Sequence, residues 1–272
     1  MSGTRRYALL DTDFISKLYI TKNGESDRLI FRILSIADFQ FVCHQQTKIE
    51  LARHNQWASK WLDENTDVTS YSDKELMNML LPTFGDAAYG LYVNMLRRSS
   101  EVFSQSFFDT YYADLDQYVL DSWGAYNLDL FVAELDVCDA NIGIDNNLGE
   151  IKLYTLAQAL EMAGVDSLCM FCSDDRKARY ALAGQVNMDC VSALAAFYLA
   201  KKYLNMQKAE AQSFFDSWMT YHQNMNQESF RVYNSKGNQL EKILGQDIFD
   251  MLYNDELDLM KDGYFRRKQI VI

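Results

Sequence analysis

The chain has 272 residues, 49% of them apolar, with one Pro and twelve Gly. That composition fills a substantial core and excludes a disordered or linker-built protein. The formal net charge of -12 excludes a nonspecific nucleic-acid coat held by global attraction, while a local basic rim stays compatible with it.

The five cysteines, Cys43, Cys138, Cys169, Cys172 and Cys190, are odd in number, and no secretory signal precedes them. Reduced thiols and a cytoplasmic location are therefore expected. Cys169 and Cys172 form a lone CxxC inside an apolar run, which favours core cysteines over a redox or zinc motif. No apolar run approaches the roughly 20 residues of a membrane span, so no membrane partner is expected.

Tyr7 to Leu10 forms a short apolar strand, followed at once by Asp11, Thr12 and Asp13. Phe14, Ile15, Leu18 and Tyr19 then recur at helical spacing. Asp11 either caps that helix or serves as a ligand at the strand exit. A helix is expected over Asp27 to Asp38, and Phe39, Phe41 and Val42 give another strand. A helix from Thr47 carries Glu50 in its first turns, where a carboxylate is favourable. His44 and His54 lack a zinc spacing, and His222 is expected on the surface of a late helix.

Residues 56–138 are rich in aromatic side chains at spacings of three and four. A helical insertion of three to five helices is expected there rather than more sheet. One of these, Asp73 to Leu81, is expected to stop before Pro82. Core packing explains the aromatic residues better than stacking on nucleobases. Asp136, Asp139 and Asp145 follow, then a loop with Gly143.

The stretch Gly149 to Gly184 carries the densest chemistry. A helix opens with Gly149 and Glu150, and Gly164 ends it. Ser167 to Cys172 is a buried strand that delivers Ser173, Asp174 and Asp175 to its carboxyl end, where α/β folds place their sites. Arg176, Lys177 and Arg179 start the next helix; they either pair with the acids or meet phosphate. Val186 to Cys190 is a further short strand, and Ser192 caps the helix after it. Beyond Phe230 a strand, a turn, a helix and a basic tail with Arg266, Arg267 and Lys268 are expected.

Asp11, Glu50, Glu150 and Asp174 or Asp175 thus each fall near a strand exit or a helix start. Four such carboxylates at one sheet edge would call for Mg²⁺ or Mn²⁺, hard ions that prefer oxygen. Walker A, GxSxG and dinucleotide-glycine motifs are all missing from the sequence.

The segments YALLDTDFISKLY, TKIELARH, GEIKLYTLAQAL, FCSDDRKARYALAG and CVSALAAFYLAKK, in that order, resemble the PIN-domain family of metal-dependent ribonucleases. The resemblance covers about Tyr7 to Asn55 and about Leu148 to Ala209. It implies a three-layer α/β/α fold with a mostly parallel central sheet, here enlarged by the helical insertion. It implies a PIN-like domain over 1–225 and a C-terminal extension over 226–272, packed on the core or on a partner.

By position, Asp11, Glu150 and Asp175 become metal ligands for Mg²⁺ or Mn²⁺, with Glu50 and Asp174 completing the catalytic set. Arg176, Lys177, Arg179 and Ser192 become substrate-binding residues. The implied activity is endonucleolytic hydrolysis of RNA, in a toxin or defence setting, with a DNA nuclease or a noncatalytic interaction module as alternatives. A homo-oligomer or a regulatory protein partner fits the same picture.

Overall fold

A computed structural model describes residues 6–143, 147–164, 168–183, 188–225 and 227–269. Asp145, Ser167, Gly184, Val186 and residues 270–272 lie outside the described residues.

The chain begins with β1 (Arg6–Leu10), α1 (Thr12–Ile20), the short strands β2 (Lys22–Asn23) and β3 (Asp27–Arg28), α2 (Leu29–Leu34), β4 (Phe39–His44) and α3 (Gln45–His54). It continues with α4 (Gln56–Glu64), β5 (Val68–Tyr71), α5 (Asp73–Phe84), α6 (Ala87–Phe103), α7 (Phe107–Tyr111), α8 (Ala113–Asp121) and α9 (Leu128–Asn141). Next come α10 (Leu148–Met162), β6 (Leu168–Cys172), α11 (Arg176–Ala183), β7 (Asp189–Val191), α12 (Ala193–Leu204) and α13 (Lys208–Asn224). The last elements are β8 (Ser229–Tyr233), β9 (Leu240–Leu244), α14 (Gly245–Tyr253), β10 (Leu257–Leu259) and β11 (Phe265–Arg267).

The protein is α/β, with a mostly parallel five-stranded sheet in the order β5-β4-β1-β6-β7. By contacts the chain forms two compact units: Met1–Asp11 with Phe41–Leu168, and Thr12–Gln40 with Cys169–Ile272.

In the first unit, Ala8, Leu9 and Leu10 are wholly buried, as a central strand of a parallel sheet requires. β4 and β5 pair parallel, with Phe41 opposite Val68 and His44 opposite Tyr71. β5 departs from the all-helical insertion expected from the sequence. Its run VTSY buries only Val68, so it carries no apolar signature of its own. Six helices, α4 to α9, fill the rest of that stretch. Pro82 sits inside the last turn of α5 rather than after it. Its missing N–H would have served the carbonyl of Asn78, and Asn78 is exposed to water. Ser72 and Glu75 fix the start of α5 with a reciprocal capping box. α10 packs against α3, α5 and α6, and nearly every residue from Leu148 to Leu160 is buried.

In the second unit, β6 and β7 pair parallel, with Met170 opposite Asp189 and Cys172 opposite Val191. The helix expected over Asp27 to Asp38 is shorter, because Arg28 is extended and α2 starts only at Leu29. A second sheet, ordered β10-β11-β8-β9, is built wholly from the C-terminal stretch. Phe197, Phe215, Trp218 and Phe249 form its aromatic support, with ring centroids 4.4–6.2 Å apart. His222 is not on the surface. α13 runs on to Asn224, leaving the ring 5% exposed, 4.3 Å from Trp218 and 5.2 Å from Phe230.

All five cysteines are free, and Cys169 and Cys172 both lie within β6. Among the described residues no helix is long and apolar enough to cross a membrane.

Candidate functional site

The first unit contains a cavity of about 470 Å³ lined by Glu50, Asp73, Asp136, Asp139 and Glu150, with His44 and Arg53. The fold thereby brings two residues from distant stretches of sequence, Glu50 and Glu150, to one space. Glu150 occupies the first turn of α10. Glu50 reaches over that turn, so that a β-carbon on Gly149 would stand 2.5 Å from its Oε2. The absence of a side chain at Gly149 is what admits the carboxylate, and the positive end of α10 favours its charge. Gln46 donates to Glu50 Oε1 at 3.3 Å.

A buried polar network lies beside these acids. Lys152, on α10 and fully buried, places Nζ 2.7 Å from Asp139 and 3.1 Å from both oxygens of Asp73. Tyr112 donates to Asp139 at 2.7 Å, and Tyr92 donates to Asp73. His44 accepts from the Gln46 amide through Nδ1, which leaves the proton on Nε2. That Nε2 is 3.3 Å from Asp73 Oδ1, an electrostatic contact without good hydrogen-bond alignment.

Burial by itself would raise the pKa of Asp73. Lys152 and His44 outweigh it and hold the carboxyl well below its usual range. For Lys152, burial pulls the pKa down, but Asp139 and Asp73 pull it above the ordinary lysine value. One ammonium among these acids leaves negative charge in excess. Asp136 registers it: burial first, then repulsion from Asp73 and Asp139, raises its pKa.

Asp11, at the end of β1, is 4% exposed and does not line this cavity.

The second unit holds the remaining expected site residues. Asp174 binds Lys17 at 2.6 Å through Oδ2, and its Oδ1 accepts the Ala193 amide at 3.0 Å. Burial pulls the Lys17 pKa down, and Asp174 more than restores it, so the net shift is upward. Asp175 caps α11, its Oδ1 accepting the Lys177 and Ala178 amides at 2.5 and 2.9 Å. Arg179 is 5% exposed and donates to two backbone carbonyls, Ser173 at 2.8 Å and Asp262 at 3.2 Å. Ser192 caps α12 through the Ala195 amide and donates to the Gly263 carbonyl. Arg176 and Lys177 are exposed. A cavity of about 230 Å³ in this unit is lined by Asp174, Arg176, Arg179 and Ser192, together with Trp218, His222 and Arg231.

No family model, curated protein or solved structure matches the chain.

Among the described residues, no group of three or more His, Cys, Asp or Glu side chains is arranged to hold an ion unaided. The donor set in the first unit nevertheless suits Mg²⁺ or Mn²⁺. Mg²⁺ gives up water reluctantly and is held through one or two carboxylates, its remaining positions taken by water and substrate oxygen. Glu50 and Glu150 supply two hard oxygen donors beside a space large enough for those waters.

Sequence reading passed over Lys152, Asp73, Asp139 and His44 as parts of one site. Lys152 did leave a signal, because it interrupts an otherwise apolar and small run on α10. A lysine on a helix buried on every side needs an anionic partner.

Proposed function

We propose that the protein is a divalent-cation-dependent nuclease, with RNA the substrate implied by the PIN-domain resemblance and DNA the alternative. The observation that supports this most is the meeting of Glu50 and Glu150 in one acidic cavity, with Gly149 bare beneath Glu50.

Glu50 and Glu150 would hold Mg²⁺ or Mn²⁺; Asp11 and Asp175, the other ligands that the resemblance implies, do not line this cavity. The ion, when bound, supplies a polarised water and charge neutralisation at a scissile phosphate. Glu50 is oriented by Gln46 and by the first turn of α10. Asp136, whose proton affinity is raised by burial and then by its acidic neighbours, is suited to take up a proton at its carboxylate as water is deprotonated. The Lys152 network holds α10 and α5 in place under the site. Asp174, Asp175, Arg176, Lys177, Arg179 and Ser192, proposed from the same resemblance, belong to the second unit.

A noncatalytic interaction module is the second reading. It is favoured by Lys17, which already satisfies Asp174. It is favoured too by Trp57, Leu120, Trp123 and Leu130, large apolar side chains more than half exposed.

End-labelled single-stranded RNA, structured RNA and DNA, incubated with Mg²⁺, Mn²⁺ or chelator, decide between the two. Metal-dependent cutting that disappears in folded Glu50→Gln and Glu150→Gln variants is the expected result. Absence of both cutting and calorimetric metal binding leaves the interaction module as the reading.

A further inference from the structure

The cavity of the second unit joins Arg176, Arg179 and Ser192, which the resemblance assigns to substrate, with residues that the resemblance does not reach. Its charged lining is three guanidiniums, Arg176, Arg179 and Arg231, against one carboxylate, Asp174. That carboxylate is already occupied by Lys17 and the Ala193 amide. Arg179 is held by its two carbonyl acceptors, whereas Arg176 and Arg231 are exposed at the cavity.

Two deeply buried side chains complete the wall. Trp218 is 2% and His222 5% exposed. Among the described residues, Trp218 Nε1 and both ring nitrogens of His222 have no hydrogen-bond partner. Gln227 comes near enough to His222 to bias its charge, but not in hydrogen-bond geometry.

We infer that this cavity binds a phosphate group, gripped by the guanidiniums of Arg176 and Arg231. Two guanidinium forks offer more N–H donors than the two oxygens of a carboxylate can take, and a tetrahedral oxyanion has more oxygens to meet them. The volume, about 230 Å³, lies below the ~300 Å³ at which drug-sized ligand pockets begin. It accommodates a phosphate with part of a sugar. Phe230 and Arg231 come from the C-terminal stretch, as does Tyr264 of the β10–β11 turn, while Trp218 and His222 come from α13. That stretch therefore builds a ligand pocket rather than serving only as packing. The inference rests in part on the nuclease reading, whose family resemblance already assigns Arg176 to substrate, and adds Arg231 and the C-terminal stretch to that site.

Calorimetric titration of the full chain tests it, with inorganic phosphate, a nucleoside 5′-monophosphate, an oligonucleotide lacking terminal phosphates, and acetate as probes. Saturable binding of a phosphate-bearing probe is expected, weakened at least tenfold by Arg176→Gln and by Arg231→Gln. Both positions are exposed, so folding is preserved. Lys208→Gln, which removes a charge elsewhere in the unit, should leave binding unchanged. Preference for the oligonucleotide identifies an internal phosphodiester, and preference for the monophosphate a terminal one; either supports the site. Absence of saturable binding, equal binding of acetate, or equal loss in Lys208→Gln overturns it.

Discussion

The carboxylate of Glu50 occupies the space that a side chain on Gly149 would fill, 2.5 Å from where its β-carbon would stand. The obstructing atoms are the far end of a flexible side chain, so Gly149→Ala is accommodated by moving Glu50 and not the backbone. Ala is favoured over Gly in a helix by up to about 1 kcal/mol. Gly149→Ala should therefore leave the melting temperature unchanged or slightly raised while abolishing metal-dependent cutting. Calorimetric melting alongside the cleavage assay reads both. A large fall in melting temperature would mean that Glu50 cannot yield.

Among the described residues, Lys152 is the one ammonium that pairs with both Asp73 and Asp139. Lys152→Met keeps the volume but leaves two buried carboxylates facing each other. Removing one partner of a buried ion pair costs about 3–5 kcal/mol. Urea unfolding should show a loss of that order, and a loss below about 1 kcal/mol would mean that the network is open to water.

The same network sets acid sensitivity. Asp73 titrates below its unfolded value, which is about 3.9. The unfolded chain therefore takes up the proton first. The contribution of Asp73 is complete above that value and is lost as pH falls toward its folded pKa. Asp73→Asn should flatten the stability curve on that acid limb. Lys152, raised in the folded state, contributes below about pH 10.4 and loses that contribution as pH rises beyond it.

Lys17 and Asp174 form a part-buried pair at 2.6 Å, with Asp13 at 3.8 Å from the same ammonium. A double-mutant cycle of Lys17→Gln and Asp174→Asn should give a coupling of about 1 kcal/mol, above the usual value for exposed pairs. Additive single effects would show that Asp174 is held by the Ala193 amide instead.

His222 is one of only three histidines, so its imidazole is easily resolved by NMR. Burial lowers its pKa; Asp174 opposes that shift, and Lys17 adds to it. It should titrate below the ordinary value of about 6.5. The unfolded chain then binds the proton first, so stability is full above that value and declines as pH falls below it. A titration at or above the ordinary value would place an anion or water against the ring.

Much of this was legible in the sequence, for definite reasons. β1, β4 and β6 are short apolar runs that end in polar residues, and buried parallel strands announce themselves that way. The acids following β1 and β6, and Glu150 after Gly149, were found through their positions at strand exits and helix starts. β5 was not, because a four-residue edge strand needs only one buried side chain. The Lys152–Asp73–Asp139 network was hidden because helical spacing describes neighbours along one element, while these groups come from α10, α5 and α9. His222 was misplaced because nothing local told that α13 would turn that face toward Phe230.

The division of the chain also has a temporal side. The segment Thr12–Gln40 packs with residues from Cys169 onward, so α1 emerges from the ribosome long before α12 exists. At translation speeds of about 5–20 residues per second, that delay is on the order of ten seconds. Met1–Asp11 and Phe41–Leu168 can assemble during that interval, while Phe14, Ile15 and Leu18 still lack their final cover. Nascent chains halted near Leu168 should be cut by protease within Thr12–Gln40 and spared between Phe41 and Met162. The protein thus asks its first helix to wait, and a chaperone that shields α1 would act on this chain during synthesis rather than after release.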